Sequence, residues 1–129
     1  MEVHQVSPGR FGAGETAGLI GSDKVEGTAV YRSNGARIGT IERVMLDKFT
    51  GNVAYAIMGF GGFLSIGTDR YPIPWSLLTY KESLGGYEVN VTEHQLEKAP
   101  KIGESEFSEY GGRADEGGLY AYYGVTPYR

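Results

Sequence analysis

The chain has 129 residues, of which 40% are hydrophobic and 22% charged, enough for one globular domain of about 100–150 residues with no room for a second. Its formal charge of −4 disfavours phosphate backbones, so general nucleic-acid binding is not expected. The absence of cysteine excludes a disulfide framework, thiolate zinc sites and cysteine nucleophiles together.

Residues 1–18 are polar and without periodicity, so ordering them would bury little surface, and they read as a flexible N-terminal arm. They also lack the basic start and apolar run of a signal peptide, and no stretch reaches the roughly 20 apolar residues of a membrane helix. A cytoplasmic protein without membrane insertion is expected. Ser22 and Asp23 suit the start of a single helical turn.

Thr28–Tyr31 opens the strand pattern, and Ser33-Asn34-Gly35 predicts a tight hairpin in which Asn and Gly supply two positive φ angles. The return segment, Arg37–Phe49, follows neither strict alternation nor a helical period; a bulge near Gly39 reconciles it with a strand, and helix is the alternative. A turn at Thr50-Gly51-Asn52 leads into Val53–Phe60, apolar on both faces, which predicts a central strand covered on both sides.

Tyr71-Pro72-Ile73-Pro74-Trp75 places two prolines opposite a buried face, so it must be an edge strand, with Tyr71 and Trp75 read as core aromatics. Leu77–Lys81 and Tyr87–Val91 form a further hairpin around Ser83-Leu84-Gly85-Gly86. Thr92-Glu93-His94-Gln95 has the form of a capping box, starting a short helix that stops near Pro100. Consecutive strands, short turns and one closing helix describe a mainly β fold, a small antiparallel barrel, over residues 19–102. Residues 103–129 form an irregular, acidic tail holding five of the ten tyrosines.

The stretches "GTAVYRSNGARIGTIERVMLDKFTGNVAYAIM", "GGFLSIGTDRYPIPWSLL" and "YEVNVTEHQLEKAP" occur in this order, and with them the chain from Leu19 to Ile102 resembles the PRC-barrel family. That resemblance implies a small β-barrel used for assembly and interaction. The family includes the cytoplasmic part of the photosynthetic reaction centre H subunit, the C-terminal domain of the ribosome maturation factor, and many stand-alone bacterial proteins. This chain is most similar to the stand-alone group, having neither the membrane helix of the first nor the second domain of the second. The family shares no catalytic motif, and no functional residue is carried over.

The residues themselves offer little chemistry. His4 and His94 are the only histidines and lie far apart in sequence, so no metal site is expected. Gly59-Phe60-Gly61-Gly62-Phe63-Leu64 has Leu64 where a dinucleotide loop needs its third glycine, and a strand follows it, so no cofactor is expected. No G-x-S-x-G elbow is present, and Glu42, Arg43, Asp69 and Arg70 read as solvated charges, not an acid–base pair.

What remains is association. Tyr55 and Ile57 on the doubly apolar strand, Phe60 and Phe63 on the loop after it, and Tyr120, Tyr122, Tyr123 and Tyr128 in the tail are the candidate partner-binding residues. The second face of the strand is covered either by another copy of the chain or by its own tail or terminal helix. A non-enzymatic interaction module, self-associating and binding protein, is the expected function. A small-molecule-binding barrel with its pocket at the Phe60–Phe63 loop is the alternative. An RNA-processing assembly factor would need a basic patch at Arg32, Arg37 and Arg43.

Overall fold

A computed structural model describes residues 14–59, 70–103 and 113–127. A single helical turn, α1 (Ser22–Val25), precedes the strands β1 (Ala29–Arg32), β2 (Arg37–Leu46), β3 (Val53–Gly59) and β4 (Arg70–Pro74). A 3₁₀ turn at Trp75–Leu77 leads directly into β5 (Leu78–Lys81), followed by β6 (Gly86–Val89), α2 (Glu93–Glu97) and α3 (Glu116–Tyr123).

The strands form one six-stranded sheet in the order β4-β3-β2-β1-β6-β5. The two edges, β4 and β5, are separated in sequence only by the three residues of the 3₁₀ turn. Five strand spacings of about 4.8 Å would put those edges about 24 Å apart in a flat sheet. The four Cα steps from Pro74 to Leu78 reach at most about 14 Å. The sheet therefore has to curl, and the result is a half-barrel.

All but one of the strand pairings are antiparallel; β1 and β6 run parallel. The mainly β fold is the one expected; this single parallel pair is its departure from an antiparallel barrel, and the cause is the Trp75–Leu77 corner. Tracing the senses from β1 through the ladder leaves β4 and β5 pointing the same way, so the chain turns a corner there instead of reversing. The β5–β6 hairpin then brings β6 back parallel to β1.

The irregular pattern of β2 is explained by bulges. Val30 pairs with Gly39 and Tyr31 with Arg37, leaving Ile38 as the extra residue beside Gly39. Ile41 pairs with Met58 and Arg43 with Ile57, leaving Glu42 as a second one. Each extra residue shifts the side-chain alternation by one, which is why neither a period of two nor one of 3.6 fits.

Two expected turns form with different geometry. Only Gly35 has positive φ in the β1–β2 turn, at 91°. Asn34 contributes instead through its side chain, whose Oδ1 accepts from the Ala36 amide at 2.9 Å. The β2–β3 turn starts earlier than expected, at Asp47, whose Oδ1 accepts from the amides of Phe49 (2.8 Å) and Thr50 (3.0 Å). Asx turns of this kind replace a second left-handed residue.

β3 is an inner strand paired with β2 and β4, not the middle of the sheet. Both of its faces are covered, as expected: Ala54, Tyr55, Ala56, Ile57 and Met58 are all buried. β4 is the expected edge strand. Arg70 exchanges both of its backbone hydrogen bonds with Ile102, at 2.8 and 2.7 Å, on the side away from β3. By the two-residue period, Pro72 and Pro74 also turn their nitrogens outward, where no ladder donor is needed. The prolines are nevertheless buried, so the single buried face expected for β4 is corrected to two.

The cover comes from the tail, which is not irregular over Glu116–Tyr123. Asp115 caps α3 by accepting from the Gly118 amide at 3.2 Å, and Gly124, at φ 66°, closes it in the left-handed conformation. The helix packs on β4, with Leu119 and Tyr122 beside Pro72 in one groove. Leu119, Tyr120 and Tyr123 are buried. The Tyr122 hydroxyl donates to the Gln95 carbonyl and so ties α3 to α2. That end of α2 is fixed by the expected capping box, with Thr92 Oγ1 accepting from the Gln95 amide at 3.0 Å and Gln95 Oε1 from the Thr92 amide at 3.3 Å.

One buried group in this layer is poorly served. The Tyr123 hydroxyl has no hydrogen-bond partner among the described residues, and burial, then the neighbouring Tyr122 and Tyr71, hold its pKa well above the ordinary value of about 10. A folded-state pKa raised in this way means full stability below about pH 10 and a loss as pH rises beyond it. Tyr123→Phe removes an unpaired polar atom, so it is expected to leave stability unchanged or raise it by up to about 1 kcal/mol. It should also flatten the alkaline loss. Urea midpoints at pH 8 and pH 11 check both; a variant destabilised at pH 8 would mean that the hydroxyl has a partner.

Candidate functional site: an aromatic cleft beside the N-terminal turn

The cross-strand geometry of the β5–β6 hairpin places Tyr80 directly opposite Tyr87. Their rings meet edge to face, with centroids 5.1 Å apart at 72°. Trp75, on the corner turn, also meets Tyr87, with centroids 5.3 Å apart at 59°. The trio is held by its graded burial: Tyr87 is 4% exposed, Trp75 half-buried and Tyr80 36% exposed. Aromatic pairs in such tilted arrangements contribute about 0.5–1.5 kcal/mol beyond the area they bury.

The opposite wall is the segment 15–20. Glu15 and Ile20 form an antiparallel bridge, and Thr16 closes the turn between them, its amide donating to the Leu19 carbonyl at 2.6 Å and its Oγ1 accepting from the Leu19 amide at 3.0 Å. The flexible arm expected for 1–18 is therefore built structure from residue 14 onward; residues 1–13 lie outside the described range. Tyr80 Oη donates to Glu15 Oε2 at 3.5 Å and joins the two walls. Leu19, on this turn, is 75% exposed.

Between the walls lies an open cleft of about 500 Å³, and among the described residues Glu15 and Glu82 are the charged side chains that line it. Partial burial, then Glu15 and Glu82, raise the Tyr80 pKa. Burial, then Tyr80 and Glu15, raise that of Tyr87. Both hydroxyls thus stay protonated at neutral pH, and the electrostatic character of the cleft is negative carboxylate over π faces.

The residues singled out from the sequence lie elsewhere. Tyr55 and Ile57 share the face of β3 that carries Pro74 and Pro72 across the strand pair, the side on which α3 packs, and they are 4% and 0% exposed. Tyr120 and Tyr123 are buried and Tyr122 half-buried in α3. Tyr55, Ile57, Tyr120 and Tyr123 belong to the buried core, and Tyr122 packs against it while remaining partly exposed. Phe60, Phe63 and Tyr128 lie outside the described residues, as does the loop of the expected small-molecule pocket.

The charges are also more organised than expected. Arg70 Nε donates to Glu42 Oε1 at 3.0 Å with both side chains partly buried. Glu42 reaches that position because it is a bulge residue and because Gly59 opposite leaves space: a Cβ there would lie 1.9 Å from Glu42 Oε2. Arg32 sits 3.9 Å from Glu93, and Arg37 donates to Thr40 Oγ1 at 2.9 Å. Among the described residues no group of three His, Cys, Asp or Glu side chains gathers as a metal site, and no helix is long and apolar enough to cross a membrane.

Comparison with known proteins agrees with this architecture. No curated protein matches the chain. The family model described as "PRC-barrel domain" matches residues 18–96, a span that opens in the turn beside the cleft, contains the whole curled sheet and ends within α2. With more than half of its length matched, the chain belongs to the PRC-barrel family.

Proposed function

We propose that this PRC-barrel is a non-enzymatic, cytoplasmic interaction module whose partner surface is the Trp75–Tyr80–Tyr87 cleft. The observation that carries the reading is the cleft itself: a partly exposed aromatic cluster in an open depression. Aromatic anchors with partial exposure are the groups that dominate binding energy at protein interfaces. A partner protein engages the rings of Trp75 and Tyr80 and the exposed Leu19 at the rim.

Self-association through β3 loses its support, since Ala54 to Met58 are already buried within the chain. A volume of about 500 Å³ also falls within the range of roughly 300–1,000 Å³ found for small-ligand sites, and this is the specific observation in favour of the small-molecule reading. A photocrosslinking amino acid placed at Tyr80, and in a second variant at the exposed His94 of α2, tests the proposal in cells. A protein adduct at position 80 and none at 94 is expected. No adduct at 80, or equal adducts at both, contradicts it.

A further inference from the structure

The β1–β2 turn holds a reactive pair of residues open to solvent. Of the three asparagines, Asn34 precedes Gly35, whereas Asn52 and Asn90 each precede a valine. An asparagine carboxamide is open to attack at Cγ by the backbone nitrogen of the next residue, closing a five-membered ring, and the next side chain decides how crowded that approach is. A β-branched valine is stiff beside its own nitrogen; glycine puts no side chain there. All three asparagines are exposed, so exposure does not distinguish them and the following residue does.

The turn geometry favours the same site. The Ala36 amide donates to Asn34 Oδ1 at 2.9 Å, which folds the carboxamide forward over the Gly35 peptide and polarises its carbonyl toward attack. A Cβ built on Gly35 would meet nothing within 4 Å, so the ring has space to form. One contact opposes it: the Gly35 N–H donates to the Arg32 carbonyl at 2.8 Å, and this bond has to open before the nitrogen can turn on Cγ.

We infer that Asn34 is a self-modification site, deamidated through a succinimide formed with Gly35 and gated by the Gly35–Arg32 hydrogen bond. The Gly35 nitrogen bonds to Asn34 Cγ and gives its proton to water or hydroxide, while the Cγ–Nδ2 bond breaks and Nδ2 leaves as ammonia. Water then opens the ring at either carbonyl, so nothing is oxidised or reduced. Opening at Cγ leaves aspartate, whose carboxylate accepts from the Ala36 amide as the carboxamide did. Opening at the backbone carbonyl leaves isoaspartate, in which the chain runs through the side-chain carbons and is one methylene longer. The turn is closed by the Gly35–Arg32 bond and by the Arg32 amide donating to the Ala36 carbonyl at 2.8 Å. An extra backbone atom between them breaks this pairing, so isoaspartate loosens the hairpin and aspartate does not.

The full-length protein, incubated at mildly alkaline pH and digested, reports the reaction by peptide mass spectrometry, with methyl uptake from an isoaspartyl methyltransferase counting the second product. Conversion at Asn34 is expected to be at least about tenfold faster than at Asn52 and Asn90. It should be several-fold faster again in urea, where the Arg32 bond is absent. The isoaspartyl fraction should unfold at lower urea than the parent, and the aspartyl fraction should match it.

Equal conversion at the three asparagines, or none at Asn34 in the folded protein while the unfolded protein converts fully, would overturn the inference. Equal rates at Asn34 with and without urea would remove the gate. An isoaspartyl fraction as stable as the parent would show that the turn absorbs the extra methylene and would overturn the loosening.

Discussion

Gly39→Ala is expected to destabilise the protein by about 2–3 kcal/mol, although it adds a single methyl group. A Cβ at position 39 would lie 2.5 Å from the backbone oxygen of Gly59 and 2.8 Å from Met58 Cγ. The side chain of Met58 has rotamers to retreat into, but the Gly59 carbonyl belongs to β3 and can move only with the strand. Displacing β3 at this point disturbs the Glu42–Arg70 pair as well, because Gly59 is the residue that makes room for Glu42. Gly51→Ala is the informative contrast: open space surrounds it, and only its φ of 83° opposes a side chain, so a cost of about 1–2 kcal/mol is expected. Urea unfolding of both variants gives the comparison. A Gly39→Ala midpoint within error of the parent would show that β2 and β3 are not this closely apposed.

Leu119→Ala is expected to cost about 2–4 kcal/mol, the range for a large-to-small change at a fully buried leucine. Leu119 is 1% exposed and lies outside the residues matched by the family model, so the prediction treats α3 as part of the folding unit and not as an appendage. Its loss would also uncover Pro72 and the adjoining face of β3, an apolar surface open to self-association. Equilibrium unfolding followed by circular dichroism, with light scattering on the folded variant, measures both. A cost below about 0.5 kcal/mol would mean that the helix frays from the sheet.

How much of this was legible in the sequence depended on the range of the interactions involved. The hairpin around Gly35, the prolines of β4 and the Thr92–Gln95 capping box are local chemistry, and each was readable within a few residues. Bulges at Ile38 and Glu42 were only half-readable, as a broken alternation, since a bulge is defined by the partner strand. The parallel β1–β6 junction was invisible for a similar reason: it follows from the sense in which the chain leaves the Trp75–Leu77 corner. α3 was missed because Gly117 and Gly118 lower helix propensity, although Asp115 and Gly124 are both good capping signals.

The candidate site was the least legible part. Tyr80 and Tyr87 fall on one face of a readable hairpin, and that was the available signal. Glu15, 65 residues from Tyr80, enters only through the tertiary fold. Conversely, Tyr55 and Ile57, which looked most like an interaction surface, lie with Tyr120 and Tyr123 of α3 in one buried core cluster, so two elements that each seemed to need a partner are accommodated within one chain.

The central claim is that binding falls on the cleft and not on β3 or α3, and hydrogen exchange on the full-length protein, with and without a partner captured at Tyr80, tests it most directly. The account predicts added protection in segments 15–20 and 75–87, with 53–59 and 116–123 unchanged because they are already buried. Protection gained in 53–59 and 116–123, with the cleft unaffected, would contradict it.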